Sequence, residues 1–122
     1  MILKYFKKID KILENYNYII EDFTINKNEL ADDKGIMEGE IFFVDGTILM
    51  FLEVNNTNKK DKVKYKYHFM DKKKQLIFRY DNAKHHRDIK TFPCHIVTGV
   101  IENKEPNLEI VLEEIQKQIN DY

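Results

Sequence analysis

A chain of 122 residues with 43% hydrophobic content is long enough to bury one core and too apolar for a disordered tail, so one domain over residues 1–122 is expected. The lone cysteine, Cys94, excludes an internal disulfide and suits a reducing cytoplasm, while an N-terminus carrying charge throughout reads as neither signal peptide nor membrane span. The net charge of −1 conceals a division: residues 1–58 sum to −5, residues 59–90 to +8 and residues 91–122 to −4, and a local excess of this size attracts polyanions whatever the total.

In chain order, Ile2, Phe6, Ile9, Leu13 and Tyr16 step by three and four, which predicts an amphipathic helix over residues 2–16. The β-branched and aromatic run that follows, YNYIIEDFTIN, predicts a strand, and NKNELADDKG a polar loop. IMEGEIFFVDGTILMFLEV reads as two strands around Asp45-Gly46, because Asp-Gly between apolar runs favours a hairpin turn. In KVKYKYHF, Val63, Tyr65, Tyr67 and Phe69 alternate with Lys62, Lys64, Lys66 and His68, so one face is apolar and the other basic. DKKKQ turns the chain and LIFRYD returns as a fifth strand. The register across that turn decides whether Ile77, Arg79 and Asp81 or Leu76, Phe78 and Tyr80 share the lysine face. An even register is favoured, because it brings Leu76 and Phe78 to the tyrosines. IVTGVI suggests a further short strand. Pro106 is expected in the first turn of a helix whose buried stripe is Leu108, Val111, Leu112, Ile115 and Ile119. The fold class is therefore α+β: an antiparallel meander of five to six strands with an N-terminal and a C-terminal helix on one face, the other face being left to water or a ligand.

Chemistry concentrates between Phe78 and His95, in FRYDNAKHHRDIKTFPCH, which holds both arginines and three of the four histidines. Histidine accepts and donates protons near neutral pH, and the arginine fork suits a phosphate. The set meets the needs of acid–base cleavage of a phosphodiester. One histidine takes the 2′-hydroxyl proton, another protonates the leaving oxygen, and a cation holds the charge on phosphorus. RNA supplies its own nucleophile, so no metal or other cofactor is called for. Each member also has a plainer reading: His85 and His86 as turn residues, His95 as a satisfied core histidine, Arg79 and Asp81 as a structural ion pair. A zinc site on His85, His86, Cys94 and His95 is a rival, although HH-x7-CH matches no common zinc spacing, and little marks Cys94 as an activated nucleophile. Glu53 is either an additional general base or a strand-end surface charge. Tyr65, Tyr67, Phe69, Phe78 and Tyr80 could stack on bases, but the same period serves a hydrophobic core.

The stretch YKYHFMDKKKQLIFRYDNAKHHRDIKTFPCH resembles the signature of the TumE family, small toxins of type II toxin–antitoxin pairs. That pattern has a strand ending in Tyr-x-Tyr-His, matched by Tyr65, Tyr67 and His68, then LIFRYDNAPHH and TFPHHKH. The second element is matched from Leu76 to His86 with Lys84 in place of proline. The third is matched by Thr91, Phe92, Pro93 and His95, with Cys94 where histidine is usual. GEIFFVDGTILMFLE is similar to the family's preceding hairpin. The resemblance implies a growth-inhibiting endoribonuclease neutralised by a cognate antitoxin protein, with Arg79, Asp81, His85, His86 and His95 as catalytic residues. Lys64, Lys66, His68, Tyr80, Lys84 and Arg87 are the expected substrate contacts. A homodimer through an exposed edge strand or the acidic C-terminal helix is compatible with the sequence. The competing expectation is a non-catalytic module whose basic sheet face binds nucleic acid or an acidic protein.

Overall fold

A computed structural model describes residues 1–59, 62–82 and 106–120, and the backbone alone at 95–96. Among the described residues, helix α1 (Ile2–Asn15) is followed by six strands and a second helix. The strands are β1 (Ile20–Ala31), β2 (Lys34–Phe43), β3 (Ile48–Asn56), β4 (Lys64–Met70), β5 (Leu76–Asp81) and β6 (His95–Ile96), and the second helix is α2 (Leu108–Asn120). They form one antiparallel sheet whose spatial order is the chain order, the expected meander.

One core holds the fold together. The buried stripe of α1 (Ile2, Phe6, Ile9 and Leu13, with Ile12) and that of α2 (Leu108, Val111, Leu112 and Ile115) meet the inner sheet positions Met37, Ile41, Leu49, Phe51, Phe69 and Phe78. Each such side chain contributes about 1.5–3 kcal/mol relative to exposure. Tyr65, Tyr67 and Tyr80 belong to the same core and are at most 3% exposed, which resolves the aromatic alternation in favour of packing. Gly35 lets α1 lie against β2, since a Cβ there would sit 2.7 Å from Ile2 Cγ1 and 2.8 Å from Phe6 Cζ. Asn107, not Pro106, starts α2: its side-chain oxygen accepts from the Ile110 amide at 2.8 Å, and Pro106 stands before the cap.

Three local expectations are corrected. The polar segment NKNELADDKG is no loop: β1 runs to Ala31 and β2 starts at Lys34, leaving only Asp32 and Asp33 between them. Ladder hydrogen bonds need no apolar face, so a ribbon wet on both sides hides from a pattern search. Val63 lies outside the core at 51% exposure, because β4 begins one residue later. Leu76 is also exposed, at 41%.

The Leu76 result comes from the register. Met70 pairs with Leu76, but Phe69 pairs with Phe78, so a bulge intervenes. Beyond the bulge Tyr67 faces Tyr80, His68 faces Arg79 and Lys66 faces Asp81. The even register thus holds for the residues that matter, although the bulge supplies it and not the turn alone. The turn is fixed by Asp71, whose side chain accepts from the Lys73 and Gln75 amides at 2.8 and 2.9 Å, with Lys74 at φ 65°.

Candidate functional site

The outward face of the sheet is built by the alternate residues of each strand. Pairing aligns them in rows: Glu38, Leu52, Lys66 and Asp81 form one, and Glu40, Met50, His68 and Arg79 the next. The face therefore changes from acidic on β2, through apolar on β3, to basic on β4 and β5. A trough of about 510 Å3 crosses it, bordered by Glu38, Glu40, Met50, Leu52 and Lys66. The face left open is mixed in character, and only its β4–β5 part is basic.

Arg79 and Asp81 are brought together there. Two residues apart on β5, they point the same way, and Arg79 Nε lies 3.1 Å from Asp81 Oδ2. The Asp81 side chain is 6% exposed and that of Arg79 26%, so the carboxylate is held within the surface while the arginine side chain is partly exposed. Cross-strand from Arg79 stands His68, half-buried, whose Nδ1 has no hydrogen-bond partner among the described residues. Burial holds the His68 imidazole below its usual pKa of 6.5, and the neighbouring Lys66 and Arg79 charges push it the same way. Lys64 and Lys66 are exposed beside it. Asn82 ties the end of β5 to the start of β4, accepting from the Tyr65 amide at 3.0 Å.

His95 enters through the ladder, since β6 pairs antiparallel with β5 and sets His95 opposite Asp81. His85, His86, Lys84 and Arg87, together with Cys94, lie outside the described residues. Tyr80 goes elsewhere: it is fully buried on the inner face, its ring 5.0 Å from that of Phe78, a position that offers no ring face to a base. Among the described residues no three histidine, cysteine or acidic side chains converge as a metal site. No helix among them is long and apolar enough to cross a membrane.

One polar cluster is placed differently from either expectation. Glu53 is fully buried on the inner face of β3, where Tyr5 of α1 donates to Oε1, Tyr67 of β4 donates to Oε2, and Asn55 Nδ2 donates to Oε1 at 3.2 Å. It is neither a surface charge nor exposed for general-base work; it joins α1, β3 and β4. Its spacing from Leu49 and Phe51 is an inward signal. That signal is blurred because Ile48, Met50, Leu52 and Val54 make the outward set apolar as well.

The family model for Toxin TumE matches residues 9–119, most of the chain. The chain belongs to the TumE toxin family. A toxin of this family implies an antitoxin partner, and the matched span takes in both the sheet and the outward Arg79–Asp81 pair. No curated protein and no solved structure matches the chain.

Proposed function

We propose that this TumE-family toxin is a metal-independent endoribonuclease whose chemistry is carried by Arg79, Asp81, His85, His86 and His95. The observation that supports the reading is the outward Arg79–Asp81 pair at 3.1 Å, flanked by His68 and Lys66 and with His95 opposite Asp81 in the ladder. Asp81 holds the guanidinium beside it as an ion pair, and the guanidinium's positive charge stabilises the charge that grows as phosphorus becomes pentacoordinate. Neutral imidazole is the form that accepts the 2′-hydroxyl proton, and a second, protonated histidine returns one to the leaving 5′-oxygen. Lys64, Lys66 and His68, with Lys84 and Arg87, bind the flanking backbone.

The test is controlled expression of the wild type and of His85→Ala/His86→Ala, reading growth and total RNA together. Growth arrest with cleaved RNA is expected for the first and neither for the second, with the variant folded by circular dichroism. Cleavage by the purified protein should persist in EDTA. Toxicity that survives replacement of His85, His86 and His95 together would remove the assignment, and loss of cleavage on chelation would favour a metal site instead.

A further inference from the structure

Counted along the sequence, the first 58 residues are acidic, yet four of their six lysines lie on one side of α1. Lys4, Lys7, Lys8 and Lys11 recur at helical spacing on α1 and all are exposed. At 1.5 Å per residue the stripe extends over about 10 Å. Of the two acids of the helix, Asp10 pairs with Lys27 of β1, and Glu14 follows one turn beyond Lys11, where it borders a separate hollow with Asp10, Leu13 and Phe23. Among the described residues none of the four lysines is in an ion pair. They line a shallow depression of about 680 Å3 with Met1, Tyr5 and Thr57.

The depression does not end at the helix. Tyr5 and Lys8 also line the adjoining cleft, together with Lys62 and one acid, Glu109 of α2. Two residues on, Lys64 opens β4 and, with Lys66, faces outward beside His68 and Arg79. Positive charge thus continues from α1, round the end of the sheet, to the face that carries the Arg79–Asp81 pair.

We infer that this is a track for the sugar–phosphate backbone of single-stranded RNA, with the α1 stripe as a binding surface remote from the reacting phosphate. The inference rests on the ribonuclease reading and adds to it the path of the substrate. A path on which cations outnumber acids over two layers suits a flexible polyanion, which can follow a corner. A folded acidic protein would need buried aromatic or aliphatic anchors, and this depression offers chiefly lysine stems around Met1 and Tyr5. Lysines acting as point charges give binding without sequence preference.

The experiment measures binding apart from cleavage. The probe is a fluorescein-labelled 2′-O-methyl oligouridylate of about 12 nucleotides, within the usual span of a single-strand site and without the 2′-hydroxyl that cleavage needs. Anisotropy titrations across a range of salt compare the wild type with Lys4→Gln/Lys7→Gln/Lys8→Gln/Lys11→Gln, glutamine being nearly as good a helix former as lysine. Losing four phosphate contacts should weaken binding about tenfold or more and lower the slope of log K against log salt by about 3. The corresponding fourfold arginine variant should keep both. If the glutamine variant fails to fold, Lys7→Gln/Lys11→Gln should show about half the slope change. An unchanged slope in a folded glutamine variant would overturn the track and leave the ribonuclease reading standing. A wild type that does not bind the probe would remove the RNA reading and the track together. Unchanged RNA binding with lost binding to polyglutamate would reassign the stripe to an acidic protein partner.

Discussion

Replacing Tyr67 with phenylalanine tests the buried Glu53 cluster with little other disturbance. The ring stays, packed 6.0 Å from the Tyr65 ring, and only the hydroxyl that donates to Glu53 Oε2 is lost. Oε1 has two donors, Tyr5 and Asn55, whereas among the described residues Oε2 has Tyr67 alone. Glu53 is fully buried, so Oε2 is left without a replacement from water. A buried acceptor stripped of its partner costs about 1–3 kcal/mol. For a domain of this size that is a fall in Tm of about 4–12 °C. Tyr5→Phe should cost less, about 0.5–1 kcal/mol, because Asn55 still serves Oε1 and Tyr5 is only half-buried. Thermal and urea unfolding followed by circular dichroism measure both. A Tyr67→Phe protein melting within about 2 °C of the wild type, or one less affected than Tyr5→Phe, would refute the reasoning and return Glu53 to a role outside the core.

His68 makes stability pH-dependent in a defined direction. Its folded pKa lies below the unfolded value of 6.5, by burial first and then by Lys66 and Arg79, so the unfolded chain binds more protons in the window between the two values. Its contribution is complete above 6.5 and declines as pH falls through that window; His68→Gln should flatten that part of the stability curve, and NMR of the imidazole should show a midpoint below 6.5. Gly35→Ala should cost about 1–3 kcal/mol by pushing Ile2 and Phe6, and α1 with them, off β2, as read by urea unfolding. On the proposed chemistry, Arg79→Lys should lower cleavage of a labelled RNA by about 10²–10³ while leaving the fold intact, because an ammonium cannot hold Asp81 and a phosphate in one planar fork; wild-type rates in that variant would sink the role given to Arg79.

Where sequence and structure agree, one strong local rule acts. Asp45-Gly46 makes its turn because Gly46 takes φ 89° and the Asp45 side chain accepts from the Thr47 amide at 3.0 Å. The stripes of α1 and α2 were legible because each helix has a single wet side. Reading failed where two patterns were superposed. On β3 both faces are apolar, so the inward place of Glu53 had no contrast to reveal it. The expectation of Leu76 in the core assumes regular pairing, and a bulge is not written in any one residue. Of the candidate site, period two puts His68 and Lys66 on one face, while the place of Arg79 beside them depended on the favoured even register, which the bulge supplies. The α1 stripe is hidden in a charge sum over residues 1–58, because eleven acids in that stretch outweigh its six lysines, four of them set at helical spacing.

The bulge between β4 and β5 has a consequence for how this hairpin can change. Phe69 pairs with Phe78 on the far side of it from the turn, and Arg79 faces outward there. Removing one residue from the turn would be absorbed by straightening the ladder, so that Met70 meets Ile77 and the partners further along do not move. Turn length and the orientation of Arg79 and Asp81 are thus mechanically uncoupled. The lysine-rich tip can gain or lose a residue and alter its charge while Arg79 and Asp81 remain on the outer face.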